Sequence, residues 1–144
     1  MQLRAKEIAT VHNPVYTAVP PGAAGKNLVF VVERGGDVRI IRDGALLKQR
    51  FLSIRDLVGE GNEQGLLSIA FHPRYERNGR VYAYFADVDD NVRVVGFERS
   101  SDRPLRVDPE SMKDVITIPH PRFPARNGGT VAFGARRQHV VGAG

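Results

Sequence analysis

No cysteine occurs among the 144 residues. That excludes disulfides, thiolate metal sites and a cysteine nucleophile, while leaving the compartment open, because an exported protein does not require cysteine. Tryptophan is missing too, so a nucleic-acid surface would lack its best stacking platform. The chain carries 21 Lys+Arg against 16 Asp+Glu, for a net charge of +5. These cations are spread through loops and strand ends, without a helix-turn-helix pattern or an RNA-binding aromatic motif. They read as a solvated surface, and no nucleic acid is expected as a partner. No run of about 18 apolar residues is available to span a bilayer. The first ten residues have charges but no apolar core of the kind an export signal needs, so no signal peptide is read there.

What is present is strand after strand. The central stretch is Glu63-Gln64-Gly65-Leu66-Leu67-Ser68-Ile69-Ala70-Phe71-His72-Pro73-Arg74-Tyr75, followed by Asn78-Gly79-Arg80-Val81-Tyr82. A glycine-bearing polar turn enters seven nearly unbroken apolar positions, which stop at a proline and resume after Asn-Gly. The pattern predicts a strand buried on both faces, a loop and a second strand, since seven residues would make barely two helical turns.

Upstream, Val15–Val19, Asn27–Glu33, Asp37–Arg42 and Ala45–Leu47 form a first set of four strands, with Asp43-Gly44 as a two-residue hairpin signal. In the third of them Val38 and Ile40 alternate with charges, the pattern of a strand near an exposed edge. Residues 51–58 are read as the crossing to a second set at Leu66–Phe71, Arg80–Asp87, Val92–Glu98 and Val115–Ile118. Residues 100–111 are polar and proline-punctuated, and a loop with one helical turn after Asp108 is expected there. A third set opens at Gly129–Gly134 and stops at Gln138–Gly144. This weak repeat of a strand-turn unit at roughly blade length supports a propeller without reference to any relative.

Two motifs resolve into ordinary turns. The glycines of residues 59–65 lack dinucleotide-fingerprint spacing and run into a strand rather than a helix. Asp87, Asp89, Asn91 and Glu98 fall at positions of a calcium-loop template, yet Val92 occupies the position that needs glycine and the flanks are strands. A solvated hairpin is the expectation.

The central string resembles the hallmark of the glucose/sorbosone dehydrogenase family, and the similarity runs from about Val15 to the last residue. The resemblance implies an all-β fold: part of a six-bladed β-propeller, with about two to three four-stranded antiparallel blades. Residues 1–14 would be an N-terminal extension and 15–144 an incomplete propeller domain. A blade takes roughly 40–50 residues, so a fragment is expected, with self-association through uncovered strand edges.

The family's cofactors, pyrroloquinoline quinone (PQQ) and calcium, enter by resemblance only. No metal ligand set is assigned in this chain, since no two histidines have ligand spacing. In the family a histidine takes the sugar hydroxyl proton while hydride passes to the quinone. The matching segment here is Arg126-Asn127-Gly128-Gly129-Thr130-Val131-Ala132-Phe133-Gly134, in which Arg126 holds the histidine position. A guanidinium stays protonated and cannot serve as a general base. His120 is the nearest substitute, and Ala135-Arg136-Arg137 departs from the family's Pro-Asp-Gly turn. Glu63, Gln64, Asn127 and Gly128 are the candidate cofactor-side residues. A sugar and an electron acceptor would be partners of the completed ring. His72 is read as a turn anchor. The expectation is an oxidoreductase fragment without turnover, or alternatively a non-catalytic propeller segment used for binding.

Overall fold

The computed structural model describes residues 3–61, 63–119, 128–134 and 139–142, the last of these as backbone only. Ten strands are described: β1 (Pro14–Ala18), β2 (Leu28–Glu33), β3 (Asp37–Arg42), β4 (Ala45–Ser53), β5 (Gly65–Phe71), β6 (Arg80–Ala86), β7 (Val92–Arg99), β8 (Val107–Ile118), β9 (Thr130–Phe133) and β10 (His139–Gly142). They form two four-stranded antiparallel sheets in sequential order, β1-β2-β3-β4 and β5-β6-β7-β8, and a pair, β9 with β10. Neighbouring sheets meet through their first strands, β1 lying against β5 and β5 against β9. Each sheet is thus a blade laid down from the inside outward, and the chain is a partial β-propeller.

Side-chain alternation explains why the second sheet sits between its neighbours. On β6, Val81, Ala83 and Phe85 enter the main core with Phe30, Phe51 and Ile69, whereas Tyr82 and Tyr84 point the other way, into a second core with Val94 and Val131. Successive residues face opposite sides of a strand, so a strand apolar at every position is one buried on both faces. The main core is sealed by aromatic rings. Phe30 meets Phe51 at 4.7 Å and Phe71 at 5.0 Å, both edge-on, and Phe71 meets Tyr75 at 4.8 Å. Each such pair adds about 0.5–1.5 kcal/mol beyond its burial.

Four local expectations are corrected. β3 is an interior strand between β2 and β4, and the charge at its start lies inside the sheet: Asp37 is 1% exposed. Phe51 and Leu52 belong to the end of β4, paired with β3, rather than to the crossing between blades. The strand β8 begins at Val107, so the loop stops at Arg106 and no helical turn follows Asp108. Pro109 is tolerated because β8 pairs only with β7 and one edge needs no N–H. Finally, residues Tyr75–Asn78 form a single helical turn, closed by Gly79 at φ 62°.

Candidate functional site

Three connections converge at one rim. The Arg34 carbonyl, in the β2–β3 turn, accepts the Leu66 N–H at 2.9 Å, and the Gly36 carbonyl accepts the Ile54 N–H at 2.8 Å. Gly59 donates to the Ala86 carbonyl at 3.0 Å, and Val58 bridges to Asp87. The segment entering β5 is therefore clamped between the turns of both blades. Gly65 is placed where only glycine fits. Its φ is +108°, and a Cβ there would lie 2.2 Å from the Arg34 carbonyl oxygen.

Between these connections lies a cleft of about 410 Å³ lined by Glu33, Asp37, Arg55, Glu60, Gln64 and neighbours. Asp37 accepts from Arg50 Nε at 2.5 Å, from Ser53 Oγ at 2.7 Å and from both Arg55 Nε, at 3.0 Å, and its Nη2. Burial pushes the Asp37 carboxyl up, but the Arg55, Ser53 and Arg50 hydrogen bonds outweigh it and hold the group below its ordinary value. Glu33 is buried as well, accepting the His12 N–H at 2.8 Å with Arg39 3.7 Å away.

Gln64 faces this cleft, and its Oε1 accepts the Gly61 N–H at 2.5 Å. Its acceptor therefore shapes its own loop. Glu63 is exposed beside it, and Gly128 is exposed at φ 68° just before β9. Arg126, Asn127 and His120 lie outside the described residues. Sequence reading missed Glu33, Asp37 and Arg55. The available signal was a charged pair flanking Arg34-Gly35-Gly36, at strand ends that the rim turns inward.

Two expectations about turns hold. Asp87 Oδ1 accepts the N–H groups of Asp89, at 3.0 Å, and Asn91, at 2.8 Å, making a hairpin turn with Asp90 at φ 63°. His72 Nδ1 accepts the Arg74 N–H at 3.0 Å, with Asn78 Nδ2 also at 3.0 Å, which makes it a turn anchor carrying its ring proton on Nε2. On the far side of β5, the buried Ser68 Oγ accepts the Val131 N–H at 3.1 Å and ties the second blade to the third.

PQQ is a flat tricarboxylate, so a seat for it must present cations and amide donors. The rim cleft does not fit that group: it presents three carboxylates, Glu33, Asp37 and Glu60, against two guanidinium groups, Arg34 and Arg55, of which Arg55 is bound to Asp37, and the Gln64 oxygen is engaged with its own loop. Among the described residues no cluster of three or more metal-ligating side chains occurs. No described helix is long and apolar enough to cross a membrane.

Sheets stacked through their inner strands, each built from one contiguous stretch of chain, define a β-propeller. The glucose/sorbosone dehydrogenase family profile matches residues 18–144, and the chain belongs to that family. An oxidoreductase (glucose dehydrogenase) from Thermus thermophilus superposes with a TM-score of 0.77 at 27% identity, covering 99% of this chain and 41% of that one. The PQQ-bound aldose sugar dehydrogenase of Streptomyces coelicolor gives a TM-score of 0.75 at 24% identity, covering 94% and 39%, and shares the fold. The Hedgehog-interacting protein of Mus musculus is 32% identical over 108 residues, 65% of this chain and 15% of that protein. Its Homo sapiens counterpart is 34% identical over 98 residues, 58% and 14%. The chain thus spans under half of these solved structures and about a seventh of these curated relatives.

Proposed function

We propose that residues 15–144 are propeller blades of a PQQ-dependent aldose or sorbosone dehydrogenase-like oxidoreductase, residues 1–14 an extension, and that this chain does not itself turn over sugar. The observation that carries the second half is Arg126, standing at the family's histidine position while Asn127 to Gly134 follow the family pattern. A permanently protonated group cannot accept the hydroxyl proton. The rim cleft supports the same reading, because its carboxylates and engaged amide offer no seat for a tricarboxylate quinone. PQQ and calcium therefore remain properties of the lineage. The purified chain mixed with PQQ, calcium, glucose and a dye acceptor is expected to reduce no dye, and sustained reduction would overturn the proposal.

A second reading, a non-catalytic propeller segment used for binding, is favoured by the 32–34% identity to Hedgehog-interacting proteins, above the 20–27% of five solved neighbours. Reading the gene on either side of these residues separates the two: further blades with arginine-rich cofactor loops support the dehydrogenase lineage, and further blades without them support the binding segment.

A further inference from the structure

The outer perimeter holds a second feature. Where β4 and the β7–β8 loop approach each other, two hollows of about 510 Å³ and 730 Å³ share Lys48, Gln49 and Arg106 and form one groove between the blades. Five cations line it, Arg42, Lys48, Arg50, Arg103 and Arg106, against a single carboxylate, Asp56. Arg50 is spent on Asp37 and Arg103 faces Asp102 at 3.8 Å. Arg42, Lys48 and Arg106 are exposed and have no carboxylate partner among the described residues. Three uncompensated like charges around one hollow repel one another, a cost that an anionic occupant reverses.

The walls are not merely polar. Leu47, Leu57 and Leu105 are half-buried there, and Met112 is 37% exposed. A sulfated glycan or a nucleic acid would answer the cations and leave this apolar surface wet. A peptide carrying carboxylates and aliphatic side chains in alternation answers both. A second copy of this chain brings a net charge of +5 toward a cationic groove and is disfavoured.

We infer that the groove between β4 and the β7–β8 loop is a docking site for an extended acidic, leucine-bearing peptide segment of a partner protein, held by Arg42, Lys48 and Arg106. The probe is a fluorescein-labelled peptide alternating glutamate with leucine and serine, followed by anisotropy with the full chain. Saturable binding that weakens by at least about tenfold in the Lys48→Glu/Arg106→Glu double variant is expected, with parallel loss on adding salt. Both side chains are exposed and unpaired, so the thermal melt of the variant should match the parent. The variant should in turn bind the same peptide with lysine in place of glutamate, a gain that misfolding cannot produce. The inference is overturned by no saturable binding of the glutamate peptide. It is equally overturned if a heparin fragment or single-stranded DNA binds through the same two residues more tightly than the peptide, or if light scattering shows self-association that the double variant abolishes. Because dye reduction is not read here, failure of this site leaves the rim proposal standing, and the reverse holds.

Discussion

Replacing Gly65 with alanine introduces one methyl group at the most constrained point of the rim. At φ +108° an L-residue is strained by roughly 1–3 kcal/mol. The new carbon would sit 2.2 Å from the Arg34 carbonyl oxygen, well inside contact distance, and that atom is backbone. The β2–β3 turn must retreat, taking with it the acceptor of the Leu66 N–H, now 2.9 Å away. Leu66 is fully buried, and stranding its N–H adds about 1–3 kcal/mol. The sum, roughly 2–6 kcal/mol, is a large share of the 5–15 kcal/mol typical of a folded domain. Urea unfolding followed by circular dichroism measures it. Gly35→Ala is the control, because a Cβ there meets nothing within 4 Å, and it should stay within about 0.5 kcal/mol of the parent. A Gly65→Ala midpoint indistinguishable from the Gly35→Ala midpoint would refute the account of the clamp.

The Asp37 carboxyl, held below its ordinary value of 3.8 in the folded chain, contributes stability above that value and loses it as pH falls from there through the lower folded value. Urea midpoints across the acid range should therefore drop on that limb, and Asp37→Asn should lower the neutral-pH midpoint while flattening the drop. Ser68→Ala strands the buried Val131 N–H and should cost about 1–3 kcal/mol. Hydrogen exchange at the Val131 amide should rise in that variant while the Ala83 amide, deep in the second sheet, keeps its protection.

How much of the fold was legible in residues follows from what each pattern reports. Short apolar runs bounded by turn residues, and Asp43-Gly44 with φ 50° and 79°, set the strands and the first hairpin. They can do so because burial and turn sterics act on the local chain. The start of β8 is obscured by Pro109, which in isolation breaks a ladder and on an outer edge costs nothing. Asp37 reads as a solvent-facing charge. Its burial is decided by Arg50 and Arg55, 13 and 18 residues away, and no local pattern encodes such a partner. Tyr75–Asn78 is hidden because Asn78-Gly79, which resembles a simple turn, is the end of a helical turn. At the site, the loop before β5 is where the residues place it, but which way Gln64 turns its amide depends on the Gly61 N–H, a conformational fact. The outer groove is invisible in the chain, since residues 42–48 and 103–106 are adjacent only once two blades stand side by side.

The sequential sheets also bear on biosynthesis. Every strand of a sheet is drawn from one contiguous stretch, so the first can finish its ladders while the second is still inside the ribosome. Phe30 and Phe51 wait uncovered until Phe71 emerges and closes over them, at 5.0 Å and 5.9 Å. A ribosome stalled with the first sheet outside and Phe71 still within the exit tunnel would present a nascent chain with two bare aromatic rings, the kind of surface a chaperone grips, and release would come with the arrival of β5.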